Sequence, residues 1–484
     1  MEKRLAFLVS ILGVGVFVAF HLAQPPFRVH RKLLVDLPYN LLPNAILVTD
    51  LDMDGHPEVM VIATETSFSV WVRSLFGKPS SIRLTNIQHF EDWGGGCACA
   101  KEEARALLKK VSETPLRALP VLVAGNRLRL LRWRGGRAVF ERLSPLPDVP
   151  INHRDTYAGI WHGHGTGNIF LTVATRGEKW FFVLTSKGEW RFVGKWREVD
   201  HLFDADIADI DRDRRPDLLA FGKGVGVRIF WGGRKGSANL GTCCHYLRPL
   251  VADLDGDGWL EVAMVAEDKW LQIWRFNPHQ KKMRLLAVSL PFSLSDLQEG
   301  DELRLADLDG DGKKEIIVPD DRGSAVVQFR DGKLRVWKGK ADKIRGMLLY
   351  TAKGTKFYKS DIITRGGKDF TILWVLPKGK RVLSPSNWRR QEVPIRFEFV
   401  GDIDGDGSDE VLGYDSRWNC YRLYRVHPIK SGLLHWEGVY LGKDIAFPLV
   451  FATIKDGSRR GLVMAVETKG KFKRLELLTV EGTR

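Results

Sequence analysis

Apolar residues along this chain come in short runs. Residues 45–48, 59–62, 121–124 and 262–265 are examples, built from Val, Ile, Leu, Met and Ala. Runs of that length, rich in β-branched residues, read as strands. A second set of apolar runs often ends at Trp, as in residues 68–71, 128–133, 227–231, 271–274 and 371–374, with milder versions at 326–329 and 421–424. Helical periodicity is nearly absent. The exceptions are an apolar stretch at residues 5–23 and a segment of helical composition near 101–114.

Between the strands one acidic spacing recurs. Asp253-Leu-Asp255-Gly-Asp257-Gly-Trp-Leu-Glu261 is the clearest copy. Asp307, Asp309, Asp311 and Glu315 repeat it, as do Asp402, Asp404, Asp406 and Glu410. Asp50, Asp52, Asp54 and Glu58 form a fourth copy, with Met53 replacing Gly at position 4. Asp209, Asp211, Asp213 and Asp217 form a fifth, with Arg212 and Arg214 replacing both glycines. Carboxylates therefore stand at positions 1, 3, 5 and 9 of every loop.

Alternating Asp side chains on a tight turn converge on one point. Ca²⁺ takes six to eight oxygens in such a flexible cage. Position 7 adds a backbone carbonyl, and Gly at position 6 permits a positive φ. An EF-hand shares the first three acids and the Gly, but needs a Glu at position 12 and flanking helices. Here the fourth acid is at position 9 and both flanks are strand-like. Up to five structural Ca²⁺ sites are expected, with reduced affinity at the loop bearing two Arg.

The loops recur at multiples of roughly fifty residues, a period that marks propellers and other arrays. Registers without an acidic loop hold decayed copies. Residues 158–170 carry His162, His164 and Asn168 in place of acids; residues 348–363 keep only Lys353-Gly354 before Asp361; residues 450–464 keep Asp456-Gly457. Near 101 the inner strand is placed at residues 96–100, followed by the helical insert. Four short strands per unit, with a loop after the first, predict an all-β, multi-bladed β-propeller of four-stranded antiparallel blades, eight or nine in number. The final unit runs out one strand short, and residues 28–35 are placed to close the ring.

The D-x-D-G-D-G-x-x-E loop between two short strands resembles the FG-GAP/VCBS repeat family, which includes the propeller head of integrin α subunits. The resemblance covers most of the chain from Asp50 onward. It implies calcium-bound blades and a cell-surface or secreted role in adhesion or ligand binding. Some propellers with these repeats belong to polysaccharide lyases or lectins.

Composition sharpens the picture in two places. Lys3 and Arg4 precede the apolar residues 5–23. Such a stretch is long enough to span a bilayer and lacks a good cleavage site, so residues 1–24 read as a membrane anchor, or failing that a signal segment. Residues 25–484 are then one propeller domain. Charge around the span is balanced, and loosely tuned Ca²⁺ loops suit extracellular calcium, which places the body outside the membrane. The net charge of +15 persists despite the acidic loops. A protein, or an anionic glycan or cell-envelope polymer, is the expected partner. No Lys/Arg block indicates nucleic acid.

The remaining candidates have structural explanations. His162 and His164, with His153, read as a decayed loop rather than transition-metal ligands. Cys97 and Cys99, near His89, read as packed inner-strand residues. Cys243-Cys244-His245 offers a vicinal pair that an oxidising compartment would join only with strain. Five Cys give no complete disulfide framework. No nucleophile elbow, HExxH, P-loop or dinucleotide fingerprint is present. The expected function is a binding or scaffold module rather than an enzyme. A polysaccharide-acting lyase or glycosidase on the same scaffold is the alternative.

Overall fold

The computed structural model describes residues 27–88 and 116–482, short connecting stretches excepted. Among them nine four-stranded antiparallel sheets form, eight taking their strands in chain order from the inside of the ring outward and the ninth completed by the N-terminal strand, and together they build a β-propeller. The fifth is representative: Leu250–Ala252, Glu261–Val265, Leu271–Asn277 and Lys282–Val288.

Burial explains which runs became which strands. Glu261–Val265 and Glu315–Asp320, both second strands, are buried throughout. A blade packs on both faces against its neighbours, so its middle strands need apolar residues on both sides. The outermost strands lie at the rim and alternate instead; Lys333–Lys338 is mostly exposed. The core is therefore the set of seams between blades. Ala263, Ile273 and Leu254 of the fifth blade meet Ile316, Val327 and Phe329 of the sixth in one such seam.

The ring closes as the short final unit predicts. Pro448–Asp456, Arg459–Thr468 and Lys471–Gly482 supply three strands, and Phe27–Asp36 pairs with the last of these as the fourth. Phe27 is fully buried in the seam with Ile403, Leu412 and Leu478. Arg31 adds hydrogen bonds to Glu476 at 2.8 Å and to the Leu441 carbonyl at 2.9 Å. The inner strand of the first blade, Leu41–Thr49, packs beside Pro448–Asp456.

Two expectations are corrected. The inner strand of the second blade is Ile87–Gln88, paired with Leu119–Val123, while residues 96–100, where the sequence placed it, lie outside the described residues. In the seventh blade Lys353-Gly354 is a tight hairpin turn between Tyr350–Ala352 and Thr355–Arg365. Both turn residues have positive φ (44° and 74°), as the tightest hairpins require. Asp361 consequently lies within an exposed stretch of strand, where no second strand begins.

Cys97, Cys99, His89, the helical insert at 101–114, Cys243, Cys244 and the apolar residues 5–23 lie outside the described residues, as do the side chains of His153, His162 and His164. Among the described residues no helix is long and apolar enough to cross a membrane.

Candidate metal centres

Each acidic loop joins the first strand of its blade to the second, so all five occupy equivalent positions around the ring. Their shape comes from their own carboxylates. The position-1 Asp accepts backbone N–H bonds from positions 4 and 6: Asp253 from Gly256 (2.7 Å) and Gly258 (2.8 Å), Asp307 from Gly310 (2.7 Å) and Gly312 (3.1 Å). Asp402 does the same with Gly405 and Gly407. The position-5 Asp accepts from position 7, at 2.8 Å for Asp257 and Trp259. Each carboxylate thus folds the chain around itself, as Asp side chains do in turns.

Positions 4 and 6 both have left-handed backbone. Gly256, Gly258, Gly310, Gly312, Gly405 and Gly407 have φ between 76° and 86°. Met53, Arg212 and Arg214 adopt the same conformation, with φ of 64°, 59° and 68°. A Cβ is disfavoured there, so these loops hold the shared geometry against a local cost.

The position-9 acid turns inward. Glu58, Asp217, Glu261, Glu315 and Glu410 are all buried. Each accepts the backbone N–H of position 2, at 3.1 Å from Leu51 and 2.8 Å from Ile210, Leu254 and Ile403, and at 3.0 Å from Leu308. Burial is the main influence on the protonation of Asp217, Glu261, Glu315 and Glu410. It raises Asp217 and Glu261 to about 7 and Glu410 to about 8, opposed by the N–H bond from position 2. Glu315 is raised for the same reason.

Four groups bring carboxylate oxygens within 4.8 Å of one another: Asp209, Asp211 and Asp213; Asp253, Asp255 and Glu261; Asp307, Asp309 and Asp311; Asp402, Asp404 and Glu410. Asp217, Asp257, Glu315 and Asp406 lie outside these groups. Asp52 is outside the described residues, leaving Asp50, Asp54 and Glu58 of the first loop. These residues fit a hard divalent cation: the donors are all oxygens, with no Cys or His among them. Asp50 Oδ1 and Asp209 Oδ1, both at position 1, are buried with no hydrogen-bond donor. A bare carboxylate oxygen in that place is costly unless something cationic meets it.

A guanidinium also meets the loops. Arg275 reaches Asp255 at 2.7 Å and Asp257 at 2.8 Å, and bonds Glu261. Arg330 reaches Glu315 at 2.9 Å and Asp311 at 3.4 Å. Arg425 bonds Asp404 and lies 3.6 Å from Glu410, and Arg234 lies 3.4 Å from Asp211. Sequence reading missed these partners, although the signal was present. The third strands noted for their aromatic ends continue into Arg, as in Trp274-Arg275, Phe329-Arg330 and Tyr424-Arg425.

Neighbouring blades tie the loops together. Arg330 donates to the Leu254 carbonyl at 2.6 Å, Arg212 stacks on Trp259 at 4.1 Å, and Arg460 reaches Asp402 at 3.0 Å. His56 of the first loop meets Asp456 of the ninth blade at 2.6 Å, and that partner raises the imidazole's pKa.

The third blade solves the same problem without an acidic loop. Buried Asp206, on the inner strand of the fourth blade, accepts N–H bonds from Gly165 (3.1 Å), Thr166 (3.2 Å) and Ile207 (2.8 Å), and the Thr166 hydroxyl at 2.6 Å. Asn168 adds a bond to the Ile207 carbonyl at 2.7 Å. Gly163 and Gly165 approach the Asp206 carboxylate and the Val251 backbone so closely that a Cβ would collide.

Residues 253–318 match the family model for an FG-GAP-like repeat. No curated protein matches the chain. Among solved structures, the chain is similar to BBS1N, crystallised in complex with ARL6DN (12% identity, TM-score 0.28, covering 74% of this chain and 96% of that one). It is also similar to the WD40 domain of SCAP from fission yeast (10% identity, TM-score 0.36, covering 95% and 99%). Scores this low carry no functional argument, and the fold rests on the chain's own strand pairing.

Proposed function

Taking the chain as an FG-GAP-repeat β-propeller, we propose that it is a calcium-stabilised binding or scaffold module held at the outer side of a membrane. The observation that carries the reading is the repetition: one carboxylate geometry is built at the same place in successive blades. A catalytic metal needs a single site with an open position, whereas a structural one is repeated wherever the same turn must be held. Asp253, Asp255 and Glu261, with their counterparts at 209–213, 307–311 and 402–410, would hold the ions. A bound Ca²⁺ would neutralise converging carboxylates and fix each loop on its blade.

The partner is read from charge. The chain carries +15 overall while its acidic loops concentrate negative charge locally. The remaining surface is therefore basic and suits an acidic protein face or an anionic glycan or envelope polymer. Residues 5–23 supply the membrane attachment in this reading. A glycan and polymer array probed with the purified protein, with and without Ca²⁺, tests it. Binding to acidic polymers that weakens with salt and with EDTA is the expected result. Turnover of a polysaccharide substrate would replace the reading with an enzymatic one.

A further inference from the structure

The arginines at the loops follow a rule that the acidic spacing does not contain. Glu261 stands directly opposite Arg275 in the pairing of the second and third strands. Val411 pairs with Tyr424, which sets Arg425 opposite Glu410. Val59 pairs with Val72, which sets Arg73 at the register opposite Glu58. In the sixth blade Gln328 takes that register and bonds Glu315 at 3.2 Å, with Arg330 two residues on. In the fourth blade Arg234 lies just beyond the strand end, stacked on Trp231 at 3.8 Å. Every blade with an acidic loop therefore carries an Arg near the end of its third strand, inside it at Arg275 and Arg425, on its last residue at Arg73 and Arg330, and beyond it at Arg234.

In the third and seventh blades, whose loops have decayed, no Arg stands there, whereas the sequence of the ninth has Arg484 just past its third strand. At the matching register the third blade has Val183-Leu184, the seventh Val375-Leu376 and the ninth Leu478-Thr479. In the second blade, whose loop lies outside the described residues, Arg132 pairs with Glu141 and Glu189. The second blade, where the sequence between its first two strands has no such acidic spacing, keeps Arg132 and Arg134 at the end of its third strand, so the Arg alone does not mark a loop.

The chemistry of the fifth blade shows what the Arg does. Glu261 is fully buried; one oxygen takes the Leu254 N–H and the other faces Arg275. The same guanidinium spans Asp255 and Asp257. A planar fork with five donors matches several carboxylates at once. Those oxygens are also the ones a cation would take.

We propose that Arg275, Arg330 and Arg425, with Arg234 in its blade, are built-in counter-ions that compete with the bound cation and staple the loop when it is withdrawn. This rests on the cation reading above. The propeller would then have two interchangeable ways of neutralising each of these loops. The arginines would set its cation affinity low, to respond to high rather than trace calcium.

The test uses the purified full-length protein and the variants Arg275→Gln, Arg425→Gln and Arg275→Lys. Ca²⁺ titration by calorimetry and melting in EDTA are read together, with circular dichroism in Ca²⁺ verifying the fold. Each Gln variant should bind Ca²⁺ roughly tenfold tighter at its loop, because a partly screened positive charge has gone. It should melt several degrees lower than the wild type in EDTA and recover in saturating Ca²⁺. Arg275→Lys, which keeps the charge but not the fork, should fall between. Unchanged or weaker Ca²⁺ binding by folded Gln variants, with the wild type binding normally, would overturn the counter-ion role and leave the calcium reading intact. Absence of Ca²⁺ binding in the wild type and all variants would overturn both.

Discussion

Asp206→Ala probes how a blade without an acidic loop is held. The carboxylate accepts four bonds of 2.6–3.2 Å, three of them from the decayed loop of the third blade. Burial raises its pKa, and the N–H and hydroxyl donors oppose that rise. Removing it strands the buried Gly165 N–H and the half-buried Thr166 donors. Each stranded buried donor costs about 1–3 kcal/mol, so a loss of about 3–5 kcal/mol is expected. Unfolding entropy scales with length, and for a cooperative chain of this size it is about 1 kcal/mol per kelvin. The melting temperature should therefore fall by about 3–5 °C. Asp206→Asn keeps one acceptor oxygen and should lose about half as much. Thermal melts followed by circular dichroism decide the matter. If Asp206→Ala melts within about 1 °C of the wild type, the carboxylate does not hold the loop and this account of the third blade is wrong.

Three further outcomes follow from single sites. Hydrogen bonds from Arg129, then Arg127, hold the Asp148 carboxyl at about 2, below its ordinary 3.8. Its contribution is present above the ordinary value and lost as pH falls, so Asp148→Asn should destabilise at neutral pH, and the gap to wild type should close between about pH 4 and 2 in acid-denaturation curves. Phe27→Ala opens a hole in the closing seam and should cost about 3–5 kcal/mol, with protease sensitivity appearing first in residues 27–36. Arg214→Gly relieves a left-handed residue whose N–H still bonds Asp209, and should stabilise by about 1 kcal/mol in chemical denaturation.

The parts legible in sequence were those encoded by residue identity at fixed offsets. Asp253, Asp255, Asp257 and Glu261 announce a loop because one short segment contains the whole turn. Ring closure was legible because the unit beginning at Pro448 lacks a strand that residues near Arg28 can supply. The arginines were hidden because Arg275 and Glu261 belong to different strands and meet only through pairing register. Asp206 was hidden for a similar reason: it sits on an inner strand, and the loop it holds lies some forty residues earlier. The glycines around His162 and His164 read as a worn metal loop, yet Gly163 and Gly165 answer to close approach by Asp206 and Val251. Ile87–Gln88 is too short to leave a periodic signal, and Lys353-Gly354 looked like a decayed loop because turn geometry is not written in apolar spacing.

The central claim is that cations hold these loops on their blades. A ligand that binds only the folded state stabilises it by RT ln(1 + [L]/Kd), so ~2 mM Ca²⁺ with Kd near ~0.1 mM contributes roughly 1.8 kcal/mol per site. Five independent sites would contribute about 9 kcal/mol at most, and the arginine counter-ions and the Arg-bearing loop at Asp209 reduce that sum. The direct measurement is the melting temperature of the purified protein in EDTA and in millimolar Ca²⁺, with Asp255→Ala, Asp309→Ala and Asp211→Ala alongside. At about 1 kcal/mol per kelvin a rise of about 3–8 °C in Ca²⁺ is expected, diminished by Asp255→Ala and Asp309→Ala and less by Asp211→Ala. Identical melting of the wild type in EDTA and in Ca²⁺ would contradict the account.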